Sequence, residues 1–432
     1  MARDATGIPS KISTAPISIE EHLSHILANV TPRPPELLPL AQTLGLVLAK
    51  EVRARVDVPG FDNSAMDGYA LRNADASSAT ADNPVSLTVV ADLPAGSAEN
   101  PRLGAGEAAR IMTGASVPDD ADCIVPIEDT DQGTDIVVIF RAPQPAAHIR
   151  NVGADARTGD VVLTAGRVLG PRDLAAAAAT GIGELRVHPA PRVGVLSTGT
   201  ELRAPGESLG RGQIHDSNSL LLAALVSDCG GIPLQLGSVP DDEDAFRTIL
   251  NNHAHEVDAF VTSGGVSVGA YDIVKAVLAP LGVWFGPVRM QPGKPQGFGR
   301  FPVAVAGDGD TASDGAAPIV FALPGNPVSV FVSFEAFVRP ALLAMAGRSQ
   351  VSRDTFQAKA AVGWRSPKGR AQYMPAAVER GADGTASVRP SSSGGSGSYL
   401  VASLARANAL AFVPEDVTEV REGDLLTVTL VS

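Results

Sequence analysis

Residues 191–345 alternate between short apolar runs and longer segments whose apolar residues have helical spacing. The runs have the length and composition of strands buried on both faces, and they read "RVGVLSTG", "IPLQLGSV", "VDAFVTSGG" and "APIVFALPG". Strands of this kind need crossover helices that cover both faces of the sheet. The pattern therefore predicts a central doubly wound, mostly parallel α/β sheet.

The segments that directly follow these strands are acidic or rich in glycine. In an open α/β sheet, ligands bind at the carboxyl ends of the strands. Acids follow three strands, at Glu201, Asp241 and Asp272, and glycine loops follow two, at Ser263, Gly264, Gly265 and at Pro324, Gly325, Asn326, Pro327. Glycine loops that lead into helices offer N–H groups to an anion, and Mg²⁺ can bridge carboxylate and phosphate oxygens. We expect a metal-assisted phosphate or nucleotide site, with helix capping as the alternative for Asp241 and Asp272.

Other candidate site residues stand at turns. Arg289 and Lys294 flank a Pro-Gly turn in "RMQPGKPQGFG", where a cation could meet an anionic ligand. Asp216 and Asn218 in "IHDSNS" precede a helix, and helix capping is the simplest interpretation of that motif alone. Thr113, Arg150 and Asp155 each end an apolar stretch.

The segments on either side of the α/β region differ in character. A helix over 17–30 with Ser18 as its cap and a second helix around 36–50 are predicted first. Short apolar runs split by Gly, Pro and Asp between about 72 and 145 indicate a small, mainly β domain, and short strands return after about residue 350. "SSSGGSGS" at 391–398 has the composition of a flexible linker.

Composition excludes some classes of function. A net charge of −13 argues against a general nucleic-acid binder, which needs a basic face. Two cysteines, Cys123 and Cys229, favour a reduced cytoplasmic setting, with one disulfide as the alternative. No signal peptide is expected, and no apolar run approaches the roughly 18 residues of a membrane span.

Taken together, the motifs "PGFDNSAMDGYA", "RIMTGASVP", "STGTEL", "GQIHDSN", "SGGVSVGAYD", "PGKP" and "LPGNPVS" resemble the molybdopterin molybdenumtransferases in their order along the chain. This is the MoeA family, which includes the E domain of gephyrin. The resemblance runs from about residue 17 to the end. It implies insertion of molybdate into adenylylated molybdopterin, with Mg²⁺-dependent release of AMP.

The resemblance also implies an assembly and a set of domains. Family members are homodimers whose site is shared between subunits, and the molybdopterin adenylyltransferase is a candidate partner; no nucleic acid or membrane is expected. Four domains are implied: an elongated N-terminal domain at 1–55 plus 146–190, a small mainly β domain at 56–145, the molybdopterin-binding α/β domain at 191–345, and a C-terminal β-barrel-like domain at 346–432. By motif position, the family's functional residues fall on Asp67, Thr113, Arg150, Asp155, Glu201, Asp241, Asp272, Lys294, Pro324, Pro327, Arg370 and Ser398. Ser398 places the 391–398 segment near the site, as an ordered loop instead of a linker.

The chain departs from the family pattern at a few positions. Gln291 and Pro287 stand where many members have lysine, so Arg289 is a candidate substitute for the lost charge. Ala154 replaces an acid in the common "GED". The rival functions are the preceding adenylylation step, whose enzymes read "SGGTG" where this chain reads "SGGVSVG", a gephyrin-like scaffold, and a degenerate enzyme.

The segment "PGFDNSAMDGYAL" from Pro59 to Leu71 fits neither helical nor strand spacing. Asp62, with Asn63 and Ser64, is expected to tie a turn through bonds between side chains and backbone. Asp67 is expected to face the α/β crevice of a partner subunit. Three apolar residues, Phe61, Met66 and Tyr69, are expected to lock the loop against its own domain.

Overall fold

The structure is a computed structural model that describes residues 15–266, 272–302, 317–382, 384–393 and 395–431. The chain divides into two compact units. The first unit comprises Met1–Glu36, Gly45–Val47 and His188–Ser432, and the second comprises Leu37–Leu44 and Leu48–Val187. Parts of the predicted segments "SGGVSVGAYD" (267–271) and "AGDGDTASDGAAP" lie outside the described residues.

The predicted first helix is confirmed as α1 (Ile19–Ala28) of the first unit. It begins with a capping box. The Glu21 N–H donates to Ser18 Oγ at 3.0 Å, and the Ser18 N–H donates to Glu21 Oε2 at 2.7 Å. Two free N–H groups at the helix start are thereby satisfied. The helix buries His22 and Ile26 in the first unit.

The predicted second helix at 36–50 is wrong. Strand β1 (Glu36–Pro39), a 3-10 turn (Leu40–Gln42) and strand β2 (Val47–Leu48) occupy that segment. Pro39 lacks an N–H group and Gly45 has φ +81°, so a continuous helix cannot form there. Instead, β12 (Glu184–His188) lies between β1 and β2 in a three-stranded sheet.

The rest of the second unit is mainly β, around a five-stranded sheet in the order β8-β5-β7-β6-β9. Its core contains Tyr69, Leu71 and Val125. Its further strands are β3 (Val52–Arg53), β4 (Asn63–Ser64), β5 (Gly68–Leu71), β6 (Val85–Leu93), β7 (Glu107–Ile111), β8 (Cys123–Pro126), β9 (Ile136–Ile139), β10 (Ile149–Arg150) and β11 (Val161–Leu163). Helices α2 (Asn73–Ala76) and α3 (Pro171–Ala179) and a 3-10 turn (Ile127–Asp129) complete it.

The first unit contains the predicted α/β sheet, in the order β16-β13-β17-β21-β20-β18. The pairs β13–β16, β13–β17 and β17–β21 are parallel, and β20 and β18 extend the sheet in the antiparallel sense. The doubly wound, mostly parallel sheet is therefore confirmed. Its strands are β13 (Arg192–Thr198), β16 (Ile232–Val239), β17 (Ala259–Ser263), β18 (Trp284–Pro287), β20 (Pro295–Arg300) and β21 (Ile319–Leu323). Short strands β14 (Leu202–Arg203), β15 (Ile214–His215) and β19 (Met290–Gln291) lie outside it.

Helices α4 (Asn218–Asp228), α5 (Glu243–His253), α6 (Ile273–Leu278), α7 (Pro327–Ser333) and α8 (Arg339–Met345) pack on this sheet, with a 3-10 turn at Ala279–Leu281. A π-helical turn, Phe334–Val338, joins α7 to α8. It directly precedes α8, where Pro340 lacks the N–H group of a regular helical bond.

This continuous helix, Pro327–Met345, has 19 residues and is long and apolar enough to cross a membrane by length and composition. Glu335 and Arg339 interrupt it, so it is not an unbroken apolar run of that length. Its apolar window is 78% buried inside the protein, and it carries Val330, Phe334 and Leu342 of the main core. The helix is accordingly part of the interior of the first unit.

The C-terminal part of the first unit is a closed five-stranded barrel, because β24 pairs with both β25 and β26. The predicted barrel-like domain is thus confirmed. Its elements are β22 (Thr355–Ala360), β23 (Trp364–Arg365), β24 (Ala371–Arg380), β25 (Ala386–Pro390), α9 (Val401–Leu404), β26 (Ala409–Val413), β27 (Glu419–Val420) and β28 (Leu425–Leu430). Cys123 and Cys229 are both free and buried, so the alternative of a disulfide is wrong.

Candidate functional site

A cavity of about 1070 Å³ lies at the carboxyl ends of β13, β16, β17 and β21 in the first unit. This is the edge at which the sequence predicted a ligand site. The predicted site residues that line the cavity are Glu201, Asp216, Asp241, Ser263, Gly264, Gly265, Asp272, Lys294, Pro324, Gly325, Asn326, Pro327, Arg370 and Ser398. The fold therefore brings together residues that are as far apart as 197 positions in the chain (398 minus 201).

Asp241 is not the cap of the helix that follows it. Its Oδ2 accepts hydrogen bonds from the Thr200 hydroxyl at 2.6 Å and the Thr200 N–H at 3.2 Å. The cap of α5 is Asp242, which accepts from the Ala245 N–H at 2.8 Å. The capping alternative is therefore wrong for Asp241, whose carboxylate ties two strand ends together at the cavity wall.

Asp272 and Glu201 complete the acidic part of the wall. Asp272 occupies the N-cap position of α6, but its side chain makes no capping hydrogen bond. The Glu201 carboxylate folds back on the β13 turn, and a Cβ on Gly199 would lie 2.5 Å from Glu201 Oε2. Glycine at 199 is therefore what allows this carboxylate to approach the end of the strand.

Asp216 is buried and its carboxylate already has protein donors. Oδ1 accepts from Ser197 Oγ and from the N–H groups of Asn218 and Ser219, each at 3.1 Å. Oδ2 accepts from Ser219 Oγ at 2.6 Å. These bonds join the end of β13 to the first turn of α4. The capping interpretation of "IHDSNS" fits the bonds to the first N–H groups of α4. The same carboxylate also binds the end of the strand, which that interpretation did not include.

The two glycine loops are packed against their neighbours. Gly264 has φ +97° and Gly265 has φ +66°, conformations that L side chains rarely adopt. A Cβ on Gly264 would lie 2.8 Å from the backbone oxygen of Thr198. The second loop leads into α7, with Asn326 at the N-cap and Pro327 in the first turn. Pro327 has no N–H group, and the Val328 N–H donates to the Ser398 carbonyl at 3.0 Å, so this helix start is bonded mainly within the protein.

The described residues of this segment, 391–393 and 395–398, form a loop with defined contacts, as the resemblance implied, and the linker interpretation from composition is wrong. The Val328 N–H at the start of α7 donates to the Ser398 carbonyl at 3.0 Å. Gln372 Nε2 donates to Ser396 Oγ at 2.9 Å within the barrel. These contacts hold Ser398 at the cavity between the helix and the barrel.

Two cationic side chains, Lys294 and Arg370, line the cavity. Arg289 does not: its Nε donates to Glu415 Oε2 at 2.9 Å and its Nη1 to the Pro16 carbonyl at 3.1 Å. Gln291 lines the cavity without a charge. The structure thus gives no support to Arg289 as a substitute for a lost lysine, and the described wall carries more acids than cations.

The remaining candidates belong to the second unit. Thr113 donates from its N–H and its hydroxyl to Asp67 Oδ1, both at 2.7 Å. These bonds lower the pKa of Asp67, with the backbone bond as the main cause, so the carboxylate is held ionised. Arg150 reaches the Ala65 carbonyl at 3.5 Å, on the same loop. Asp155 lies apart on another turn, where its N–H bonds the Val58 carbonyl.

The Pro59–Leu71 loop is tied as expected at its start. Asp62 Oδ1 accepts from the Val152 N–H at 2.7 Å, Asn63 Nδ2 donates to the Phe61 carbonyl, and Ser64 Oγ donates to the Met66 carbonyl. Tyr69 is fully buried, but Phe61 and Met66 are 50% and 36% exposed. The prediction that all three apolar side chains lock the loop is therefore wrong for these two, which face solvent around the Asp67 turn.

Three family models match the chain in sequence order, and two of them describe regions of MoeA. The MoeA N-terminal region (domain I and II) matches residues 17–181, the probable molybdopterin binding domain matches 194–344, and the MoeA C-terminal region (domain IV) matches 357–431. Molybdopterin molybdenumtransferase 2 of Mycobacterium tuberculosis is 43% identical over 95% of this chain and 98% of its own length. The chain belongs to the molybdopterin molybdenumtransferase family.

Further relatives agree with this assignment. The molybdopterin molybdenumtransferase of Nostoc is 35% identical over 94% of this chain and 92% of its own length. A crystal structure of the molybdopterin biosynthesis MoeA protein from Pyrococcus matches with a TM-score of 0.76 and 29% identity, over 96% of this chain and 99% of that one. Membership of this family makes the chain a transferase. The finer division of the second unit into two domains stays a prediction.

Tyr399 lines the cavity although the sequence did not mark it as a site residue, and Asn218 was expected only as part of a capping motif. Thr200 does not line the cavity, and it gains its role from its two hydrogen bonds to Asp241. Asn218 stands in "IHDSNS", where capping explained it, and Tyr399 stands in "GSGSYL" beside a selected serine. Only the folded arrangement distinguishes such residues from ordinary surface polar groups.

The acids of the cavity are hard oxygen donors of the kind that Mg²⁺ prefers. Among the residues that the structure describes, however, no three His, Cys, Asp or Glu side chains form a group that could hold a metal ion. Glu201, Asp241 and Asp272 therefore line one cavity without forming a closed cage. Such an arrangement suits an ion that also takes ligands from a substrate.

Proposed function

We propose that the chain inserts molybdate into adenylylated molybdopterin and releases AMP in an Mg²⁺-dependent reaction, as a step in molybdenum cofactor biosynthesis. The observation that carries the proposal is the single cavity in which Glu201, Asp241 and Asp272 lie with Lys294 and Arg370. Acids and cations in one site suit a phosphorylated substrate that brings a divalent metal ion. The names of the relatives support the same reaction class.

The cavity has room for a nucleotide-sized ligand, since small-molecule sites typically occupy roughly 300–1,000 Å³. Tyr399 lies at its wall with 72% of the residue exposed. Its Cε1 would lie 3.4 Å from a Cβ on Gly397, so one edge of the ring rests on the loop backbone. We assign the open face of this ring to a flat heterocycle of the substrate, because aromatic side chains stack on such rings.

The anionic groups of the substrates would lie against hydrogen-bond donors and positively charged side chains. The loops at Gly265 and at Gly325 and Asn326 would offer backbone N–H groups to phosphate oxygens. Lys294 and Arg370 supply the positive charge for the pyrophosphate or for molybdate, and Ser398 can donate a hydroxyl hydrogen bond to the same anions. Gln291 contributes an uncharged amide where many family members have a lysine.

The carboxylates fit Mg²⁺ by their chemistry, with one or two of Glu201, Asp241 and Asp272 as ligands and phosphate oxygens as the others. When bound, Mg²⁺ neutralises the charge that develops on the transferred phosphoryl group. The carboxylate that does not ligate the ion can orient the attacking oxygen. Thr200 keeps Asp241 in place through its two hydrogen bonds.

The proposed step takes place at the adenylyl phosphorus. An oxygen of molybdate or of water forms a bond to this phosphorus, and the bond from the phosphorus to the bridging oxygen of the pyrophosphate breaks. The bridging oxygen leaves with the molybdopterin phosphate. Water attack gives AMP directly, and molybdate attack gives an adenylyl molybdate that water then cleaves to AMP. The dithiolene sulfurs are then free to ligate molybdenum.

We further propose that a second copy of the chain completes the site. Asp67, Thr113 and Arg150 form a polar group of their own on the second unit, flanked by the exposed Phe61 and Met66. In a homodimer this group would face the first-unit cavity of the partner subunit. The molybdopterin adenylyltransferase, which would supply the substrate, is the proposed further partner.

The test of the reaction is direct. The purified protein is incubated with adenylylated molybdopterin, molybdate and Mg²⁺, and AMP and active cofactor are measured. AMP release that requires Mg²⁺ is expected. Absence of metal-dependent AMP release from well-folded protein would refute the proposed reaction.

Subunit complementation tests the shared site. Asp67→Asn and Asp241→Asn are each expected to be inactive alone. Mixed after reversible dissociation, they should regain about a quarter of wild-type activity, because half of the dimers then carry one intact site of two. An active monomer in sedimentation would contradict the shared site.

A further inference from the structure

We infer that Asn218 is a positioning residue that sets the spacing of the two glycine loops at the cavity. The residue lies in the first turn of α4 and is 9% exposed. Its Nδ2 donates to Ser263 Oγ at 2.7 Å and to the Gly325 carbonyl at 2.6 Å. One side-chain amide therefore bridges the loop after β17 and the loop after β21. This inference rests on the proposed function, because it concerns the same site.

A third strand end is joined to the same point. The Asn218 N–H donates to Asp216 Oδ1, and that oxygen also accepts from Ser197 Oγ at the end of β13. The start of α4 thus holds the ends of β13, β17 and β21 through Asp216 and Asn218. A shift of Asn218 would move the cavity wall at three places together.

The loops leave little room for independent movement. A Cβ on Gly325 would lie 3.4 Å from the Cα of Gly264, so the space between the two loops at this point is no wider than a methyl group. The Gly264 N–H also donates to the Leu323 carbonyl at 3.0 Å. The distance between the loops sets the spacing of the Gly265 and Gly325 N–H groups, which would receive phosphate oxygens. A change at Asn218 should therefore reach substrate affinity before it reaches the fold.

The chemistry of the amide supports a role beyond stability. Asn218 Oδ1 is buried without a hydrogen-bond partner in the part of the chain that the structure describes. An unpaired buried acceptor costs stability, so the residue is not optimal for folding alone. A short, neutral side chain with two N–H donors on one atom is what Ser263 and Gly325 require, and asparagine provides it.

The experiment compares wild type with Asn218→Asp, a substitution of nearly equal size. A negative charge in the first turn is favourable for α4, so the helix should be retained. At pH 8 the carboxylate cannot donate to the Gly325 carbonyl, and KM for adenylylated molybdopterin should rise roughly five- to tenfold, about the value of one hydrogen bond. Burial beside the Asp216 carboxylate should raise the pKa of the introduced carboxyl, so it can take up a proton and donate again as the pH falls toward 5, and the difference in KM should shrink.

A matched control comes from the barrel. Asn408 also donates its side-chain amide to a backbone carbonyl, although both of its bonds go to one residue: its Nδ2 donates to the Val378 carbonyl at 3.1 Å and its Oδ1 accepts from the Val378 N–H at 2.8 Å. It does not line the cavity. Asn408→Asp should lower the melting temperature without the pH-dependent change in KM. A purely structural role of Asn218 predicts that the two variants behave alike.

Two outcomes would overturn the inference. One is a KM of Asn218→Asp within twofold of wild type at both pH values, and the other is an equal change in Asn408→Asp. If Asn218→Asp does not fold, Asn218→Ser replaces it, and an unchanged KM in that variant would equally refute the role. Failure of the proposed reaction shows separately, as wild type without AMP release. In that case, AMP affinity measured by calorimetry for wild type and Asn218→Asp at both pH values decides the inference.

Discussion

His22 gives the sharpest prediction about stability, because a histidine is buried here without its usual partners. The residue is 1% exposed, and its ring lies 5.0 Å from that of Trp284 and 4.6 Å from that of Phe337. Nδ1 has no hydrogen-bond partner among the described residues. Burial, with a smaller contribution from the charge of His25, lowers the pKa of His22 to about 3 from the ordinary 6.5.

The direction of the pH effect follows from proton binding. Below pH 6.5 the unfolded chain takes up a proton at His22, whereas the folded chain stays neutral there down to about pH 3. The contribution of neutral His22 to the free energy of unfolding is therefore fully present above pH 6.5, and it is lost progressively as the pH falls from 6.5 toward 3. At pH 5 the loss is 1.5 pH units multiplied by 1.36 kcal/mol, or about 2 kcal/mol.

The variant His22→Leu removes the titrating group. At pH 7.5 the gain from losing an unpaired nitrogen opposes the loss of ring packing, so the net change should be small. At pH 5 the variant should be more stable, relative to wild type, by about 2 kcal/mol more than at pH 7.5. Urea unfolding in a Trp364→Phe background follows Trp284 fluorescence next to the site.

Ile26→Leu is the matched control, since it alters the same buried face of α1 without a titrating group. Its effect on the free energy of unfolding should be equal at the two pH values. The reasoning fails if His22→Leu shows the same pH independence, or if it gains less than about 0.5 kcal/mol between pH 7.5 and 5.

Three further predictions concern the cavity. Tyr399→Ala should weaken AMP binding by roughly tenfold or more in calorimetry, whereas Tyr399→Phe keeps the ring and the affinity; equal binding by both would exclude stacking. Gly264→Ala places a methyl group 2.8 Å from the Thr198 carbonyl oxygen, at a residue with φ +97°. The free energy of unfolding should fall by roughly 1–3 kcal/mol, and the rate of AMP release should fall with it. An unaltered melting curve would argue against the close contact. Asp272→Asn should abolish the Mg²⁺ dependence of turnover and leave the dimer intact in sedimentation; unchanged turnover removes Asp272 from the metal site.

The central sheet could be predicted from the sequence because strands buried on both faces are apolar throughout, and few other arrangements accept such segments. The predicted helix at 36–50 shows where periodicity fails. That segment has apolar residues at helical spacing, but Pro39 and Gly45 interrupt the helix, and the pairing partner, Glu184–His188, lies far along the chain. Pairing over that separation leaves no local signal in the sequence.

The site shows the same division between local and distant information. Acids and glycine loops after strands could be placed because every parallel strand end meets at one edge of the sheet. Arg289 and Lys294 are five positions apart in one turn, and only Lys294 lines the cavity. Arg289 is held by Glu415 and Pro16, both remote in sequence. Which of two neighbouring cations serves a site therefore depends on contacts that spacing cannot reveal.

The open arrangement of the acids leads to a last prediction, about the order in which ligands bind. Among the residues that the structure describes, Glu201, Asp241 and Asp272 form no closed cage, so these side chains alone offer Mg²⁺ too few ligands. We expect weak Mg²⁺ binding to the free protein and at least tenfold tighter binding once AMP occupies the cavity, because phosphate oxygens complete the coordination. By reciprocity, Mg²⁺ should tighten AMP by the same factor.

Calorimetry measures both halves of this cycle. Mg²⁺ is titrated into protein with and without AMP, and AMP is titrated with and without Mg²⁺, with Asp241→Asn as the variant that should lose the coupling. Tight Mg²⁺ binding to the free protein would mean that the acids form a resident metal site after all. Equal affinities with and without AMP would mean that the ion and the phosphate do not meet, and the cavity would then have to neutralise the pyrophosphate with Lys294, Arg370 and the loop N–H groups alone.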